Sequence, residues 1–501
     1  MIGSSSRHSW LRLAPILLCL AMLNACSTMG LNRHIDATLN SPEMTGTRWG
    51  LVVMDLTGKE LIAIRPDERF APASNTKLVT TAAAFGFLPQ IDQPSVRAGT
   101  SLWLVENETG PPDLILRGGG DAMLSDAPDC IEHCLYQLAD LLLENNITSI
   151  NNIIGDDRLF PDERHAPGWS WEDLQYYYGT AISALVVDDN SLALEIMSDP
   201  ESDQIQLRWE DGDAIFPVVN QATITPESFD DGRKRVRMSR KGGSNSLRVY
   251  GSLPKGTQSY VQNIGIEDPA LTAAQKLIPH LISRKISVTG GPRALHRELV
   301  LADEPEHRCC GVPLIPQPEG AYIGMLSAPP MLDSLTVINK DSNNLHAEVA
   351  LRRLGLVEGA GSREDGVLKM QQILSQAGAS KSAYDFTDGS GLSVYNRISP
   401  RAMAKLVLYT EKQSWGTQWR ETLPIGGVDG SLEKRFKDTI LEGKITAKTG
   451  TLTGVNALSG FLETARGKTL VFSFFANDRP SDAPSARKKI DAVLVDIAQR
   501  Y

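Results

Sequence analysis

Basic residues are not in excess in this sequence of 501 residues: 50 Lys and Arg stand against 60 Asp and Glu, a formal net charge of −10. That balance offers no broad cationic face and argues against a nucleic-acid partner. No internal repeat and no low-complexity segment is visible. Long apolar runs are also missing. Residues 13–23 form one that is too short to span a bilayer comfortably, and no longer one follows. Cysteine is scarce, with six in the chain, and a hydrophobic share of 42% with 22% charged residues is that of a soluble globular protein. The length exceeds one ordinary core, so two or three domains are expected.

Arg7 and Arg12 precede the apolar run, which ends near the small residue Ala25, so residues 1–26 read as an export signal. The stretch Leu23-Asn24-Ala25-Cys26-Ser27 resembles a lipobox, in which Cys26 becomes the lipidated first residue of the mature chain. Asn24 departs from the residue usual there, and cleavage without lipidation is the alternative. The expectation is a periplasmic protein held at a membrane by lipid on Cys26. With Cys19 lost and Cys26 lipidated, Cys130, Cys134, Cys309 and Cys310 remain. Exported thiols tend to oxidise. Neighbours such as Cys309 and Cys310 bond poorly to each other, so cross-links between the 130s and the 309 pair are expected. His133 and His307 make zinc the lesser, competing reading.

Ser74-Asn75-Thr76-Lys77 opens a run of helix formers behind Pro72. On the first helical turn an i, i+3 lysine reaches the serine and can serve as its base if burial or a second cation keeps it neutral. Alone the pattern is weak: about one Ser-x-x-Lys is expected by chance, and Ser74 could be an N-cap. Ser342-Asn343-Asn344 and Lys448-Thr449-Gly450 change the weighing, because Ser-x-x-Lys, Ser-x-Asn and Lys-Thr-Gly in this order are the signature of penicillin-recognising serine enzymes.

Residues 51–55 and 61–65 read as a hairpin, residues 444–452, 457–464 and 470–477 as three strands, and Ile490, Val493, Leu494 and Ile497 as one face of a final helix. The two chain ends thus make one α/β domain. The separation of 265 positions between Lys77 and Ser342 (342 − 77) exceeds any loop. The expected division is 31–98 with 311–501 for the main domain, 99–187 with 262–310 for an inserted one, and 188–261 for a nested β-rich one. Gly118-Gly119-Gly120-Asp121 lacks a following Gly-Lys-Ser/Thr and is read as a turn.

These motifs, with the insertion, Pro167-Gly168-Trp169, Asp388-Gly389-Ser390-Gly391-Leu392-Ser393 and Gly427-Val428-Asp429-Gly430-Ser431-Leu432, resemble the class C low-molecular-mass penicillin-binding proteins across nearly the whole mature chain. The resemblance implies an α/β (α+β) transpeptidase-like domain, akin to the β-lactamases, interrupted by two smaller domains. It implies D-alanyl-D-alanine carboxypeptidase activity, often with endopeptidase activity, on peptidoglycan stem peptides, with β-lactam antibiotics as inhibitors and neither cofactor nor metal. Ser74 would be the nucleophile, Lys77 its base and Ser342 a proton relay. Asn344 would hold the substrate amide, and Lys448, Thr449 and Thr451 its carboxylate, while Gly450 leaves room for close approach. The amides of Ser74 and Thr451 would form the oxyanion hole. Asp156 would meet the stem-peptide amine, against a plain solvated turn carboxylate. Asn343 stands where an aspartate is common, with little consequence expected. A lone histidine is more often structural, which is the reading for His346. A β-lactamase or an inactive wall-binding lipoprotein are the alternatives; no short glutamate-bearing loop suited to deacylation is seen, and every motif residue is intact.

Overall fold

Strand Thr469–Asn477 shows how the sequence divides its apolar residues. Side chains alternate across a strand. Val471 and Phe475 enter one cluster with Val52, Met54, Leu78 and Ala82, while Leu470, Phe472 and Phe474 enter another with Leu51, Val53 and Leu458. Both faces being covered, the strand is apolar nearly throughout. It lies at the centre of a five-stranded antiparallel sheet in the order Ile445–Leu452, Val455–Glu463, Thr469–Asn477, Arg48–Asp55, Glu60–Ile64. Helix Ala486–Arg500 packs Ile490, Val493, Leu494 and Ile497 on one face. The other face carries helix Thr76–Phe87 and, around it, helices Asn344–Gly355, Arg363–Gln376 and Pro400–Glu411. The two chain ends form one α/β unit, as the sequence implied.

This computed structural model describes residues 34–199, 201–210, 216–226, 235–240 and 246–501. The export signal and Cys26 lie outside the described residues. Among those described, no helix is long and apolar enough to cross a membrane.

The insertion builds a second five-stranded sheet, Pro292–Arg297, Ile153–Pro161, Asp113–Arg117, Ser95–Val105, Ala321–Ala328, backed by helices Leu135–Glu144 and Pro269–Ser283. Within it two three-stranded sheets share a core of Leu194, Ile196, Met238, Leu247 and Val249. Three expected boundaries shift. Ala321–Ala328 pairs with Ser95–Val105, so the chain returns from the inserted sheet well after residue 310, and that sheet begins before residue 99. Tyr260–Gly265 pairs with Ser191–Met197 and extends the nested unit past residue 261. Each of these strands is specified by a partner distant in the sequence, which local patterning does not report.

The cysteine pairing is also corrected. Cys130 bonds Cys134, and Cys309 and Cys310 are exposed free thiols with Sγ atoms 2.8 Å apart. His133 takes a left-handed φ of 57°, folding the chain ahead of helix Leu135–Glu144 so that Cα atoms of Cys130 and Cys134 lie 5.8 Å apart, within disulfide reach. Two of the thiolates that the zinc reading needed are thereby used.

Candidate active site

Pro72 and a left-handed Ala73, φ 48°, turn the chain into a short 3₁₀ turn, Ala73–Asn75, that runs into helix Thr76–Phe87. No side chain caps this helix, so the cap reading of Ser74 fails and its hydroxyl is left for other partners. A left-handed alanine costs about 1 kcal/mol and persists only when its surroundings enforce it. Here Gly391 packs against the turn so closely that an added Cβ would stand 1.9 Å from the Ala73 carbonyl oxygen.

Lys77 follows one turn on and is fully buried. Its Nζ lies 3.1 Å from Ser74 Oγ and donates to Asn344 Oδ1 and to the Ser390 carbonyl, each at 2.6 Å. A neutral amine has two N–H donors and one lone pair. Two acceptors and one hydroxyl match that inventory. Burial pushes Lys77 down to about 7, with the charges of Asp388 and Glu348 pulling the other way.

Ser342 sits between helices Met331–Lys340 and Asn344–Gly355, with a left-handed φ of 63°, and its Oγ accepts from Lys448 Nζ at 2.8 Å. Lys448 comes from the edge strand Ile445–Leu452 and is fully buried too. Burial, and then the neighbouring Lys77 charge, push it well below the ordinary lysine range, against the pull of Asp341. Asn75 Nδ2 donates to the Lys448 carbonyl at 2.8 Å, which pins this strand to the nucleophile turn. Gly450 lets the strand pass: a Cβ there would meet the Pro72 carbonyl oxygen at 2.6 Å. The Thr449 hydroxyl donates to Ser431 Oγ at 2.8 Å, and Thr451 Oγ1 accepts from Arg487 Nη2 at 3.0 Å.

Hydrogen bonds thus join Ser74, Lys77 and Asn344 in one set and Ser342 and Lys448 in a second beside it, with Thr449, Gly450 and Thr451 along the adjoining edge. Asp156 is not among them. It is wholly buried, with Arg117 on one oxygen at 3.0 Å and Arg158 on both at 2.9 Å. A carboxylate so enclosed and doubly paired has no face left for a substrate amine, and a solvated turn does not describe it either.

The sequence profile of the D-Ala-D-Ala carboxypeptidase 3 (S13) family matches residues 31–499. The chain belongs to that family. It is 29% identical to the D-alanyl-D-alanine carboxypeptidase of Actinomadura sp. (strain R39), over 94% of this chain and 84% of the relative. It is 24% identical to the D-alanyl-D-alanine carboxypeptidase DacB of Haemophilus influenzae, over 88% of this chain and 87% of that one. The crystal structure of penicillin-binding protein 4 (dacB) from H. influenzae shares the fold, with a TM-score of 0.75 and 20% identity over 92% of this chain and 98% of the other.

Behind the site of this S13 chain stands a buried network that sequence reasoning missed. Glu348 Oε1 accepts from the Gly389 and Ser390 amides at 2.9 and 2.8 Å, and so holds the carbonyl that receives Lys77. Burial, helped by the Asp388 charge, pushes Glu348 up to about 7, and Arg352 opposes this. Asp388 accepts from the Gly391 amide at 2.9 Å and from Trp169 Nε1 at 3.0 Å, joining the Asp388–Ser393 and Pro167–Trp169 segments. Tyr178 offers its carbonyl to Asn344 Nδ2 at 2.8 Å. The one available signal for the network was a Gly-Ser-rich turn with an aspartate at its head, which marks a tight loop and not its partner.

Proposed function

We propose that Ser74 is the acylating nucleophile of this serine-type D-alanyl-D-alanine carboxypeptidase and that Lys77 is its base. The observation that carries the assignment is the short pair of Lys77 hydrogen bonds to Asn344 Oδ1 and Ser390 O, which leaves the lysine lone pair for the Ser74 hydroxyl. Lys77 takes the proton as Ser74 Oγ attacks the carbonyl between two terminal D-alanines. Backbone amides of Ser74 and Thr451 stabilise the oxyanion. Ser342, bonded to Lys448, passes a proton to the departing D-alanine amine and is replenished with the proton that Lys77 took. Lys77 is then neutral again and can draw a proton from the attacking water and return it to Ser74 Oγ. Water then hydrolyses the acyl-enzyme.

Lys448 serves the substrate carboxylate. That anion favours the charged form of Lys448, and a charged Lys448 in turn keeps Lys77 neutral. Arg487, held on Thr451, adds a second cation at this rim. Asn344 keeps one amide hydrogen for the substrate beyond the one given to Tyr178. The stem peptide of peptidoglycan is the substrate, β-lactams acylate the same serine, and a cross-link whose acyl donor is D-alanine would be cleaved by the same steps. Action on the cell wall requires export, which the signal at residues 1–26 would provide, with a lipid on Cys26 as the anchor. The test is release of D-alanine from an acyl-D-Ala-D-Ala peptide: release expected with the wild type, none with Ser74→Ala, and none from the D-Ala-L-Ala isomer. Equal release by Ser74→Ala would remove Ser74 from the mechanism.

A further inference from the structure

The inserted unit meets the Ser342 turn through three consecutive left-handed residues, Asp188, Asp189 and Asn190, with φ of 48°, 54° and 48°. Asp and Asn adopt this conformation singly, but three in succession without a glycine need fastening. Its outer members supply that on the inserted side. Asp188 accepts from Ser125 Oγ, the Asp126 amide and Lys276 Nζ, all at 2.8 Å. Asn190 is buried, donates to the Ala181 carbonyl at 3.0 Å and accepts from the Val187 amide at 3.3 Å.

Asp189, between them, is turned toward the catalytic unit. Its Oδ1 lies 2.8 Å from His346 Nε2, and its Oδ2 accepts from Asn343 Nδ2 at 3.0 Å. His346 Nδ1 is 2.9 Å from Ser334 Oγ, and the His346 amide donates to Asn343 Oδ1 at 3.1 Å, capping helix Asn344–Gly355. Asn343 is flanked by Ser342, on Lys448, and Asn344, on Lys77.

We propose that Asp189 is a positioning residue for catalysis: it clamps the Ser342–Asn344 turn from the inserted unit and so fixes both side chains against the two lysines. The proposal rests on the reading of that turn as part of the active site. It also accounts for the residue at 343. The oxygen of Asn343 is committed to the helix cap, so its amide group must face Asp189, where a carboxylate would meet a carboxylate. Asn343 is therefore not the neutral replacement that the family pattern suggested. His346 is buried and is part of the same clamp.

Exchanging donor and acceptor tests this. Asn343→Asp sets two carboxylates against each other, and Asp189→Asn sets two amide donors against each other. In the double variant the new amide at 189 donates to the new carboxylate at 343 and keeps its oxygen against His346 Nε2. Acylation by a penicillin and kcat and KM for D-alanine release are measured for all four proteins, with thermal melting as a check on folding. Each single change should lower the acylation rate about 10- to 100-fold, the scale of a displacement of roughly 1 Å at a reacting group. The loss should fall on kcat more than on KM, and the double variant should recover to within a few-fold of wild type. Singles that acylate at the wild-type rate, or a folded double variant no better than the worse single, would overturn the clamp. If a single variant does not fold, the double decides: folded and acylating within a few-fold of wild type it supports the clamp, and folded but slow it overturns it. Should Ser74→Ala still acylate, the site reading has failed instead, whatever Asp189 does.

Discussion

Lys77 determines how acylation depends on pH. Its ammonium is the form disfavoured by burial, so the folded value lies near 7 and the amine is protonated below and neutral above it. Acylation by a β-lactam should then follow the neutral fraction: about a tenth of the plateau rate at pH 6, about half at pH 7 and about nine tenths at pH 8. A lysine at its ordinary value would be neutral at pH 7 in only about one molecule in 3000, so the depression is worth about three orders of magnitude in available base. Glu348, pushed up to about 7, loses its proton over the same range, and its growing charge pulls Lys77 upward. The two titrate as a pair, and the rise should be somewhat broader than a one-proton curve. Stopped-flow acylation between pH 5 and 10 measures this, with Lys77→Met as the variant that lacks the base. That variant should be slower by about 10²- to 10⁴-fold at pH 8 and flat with pH. A tenfold rise per unit continuing to pH 10, or a wild-type profile flat from pH 5, would refute the assignment of Lys77 as a buried neutral base.

Other consequences follow from particular contacts. Gly450→Ala should leave the fold in place but lower acylation by about 100-fold or more, because the new Cβ is driven to 2.6 Å from the Pro72 carbonyl oxygen beside the nucleophile; circular dichroism melting and acylation kinetics separate the two effects. Mass mapping of an unreduced digest should find Cys130 linked to Cys134 and alkylation at Cys309 and Cys310, whereas a link between the 130s and the 309 pair would contradict the structure.

What the sequence makes legible is what repeats locally. Ser74 and Lys77 share one helical turn, Ile490, Val493, Leu494 and Ile497 one helix face, and Thr469–Asn477 a sheet buried on both sides, and each leaves its mark within a short window. Closure of the site does not. Glu348 meets Gly389 and Ser390 across 41 and 42 residues, and Asn343 meets Asp189 across 154. Asp156 was misread for the same reason: Arg117, 39 residues away, is its neighbour only because Asp113–Arg117 and Ile153–Pro161 pair in parallel. The cysteine pairing failed because connectivity depends on the turn at His133, and spacing alone does not specify it.

The proposed chemistry depends on Ser74 forming the acyl-enzyme. Incubating the protein with labelled penicillin and locating the modified residue by peptide mass tests it most directly, with Ser74→Ala run alongside. One adduct is expected, on Ser74, absent from the variant and decaying slowly. An adduct on another residue, or one that survives Ser74→Ala, would contradict it, and turnover within seconds would make the chain a β-lactamase.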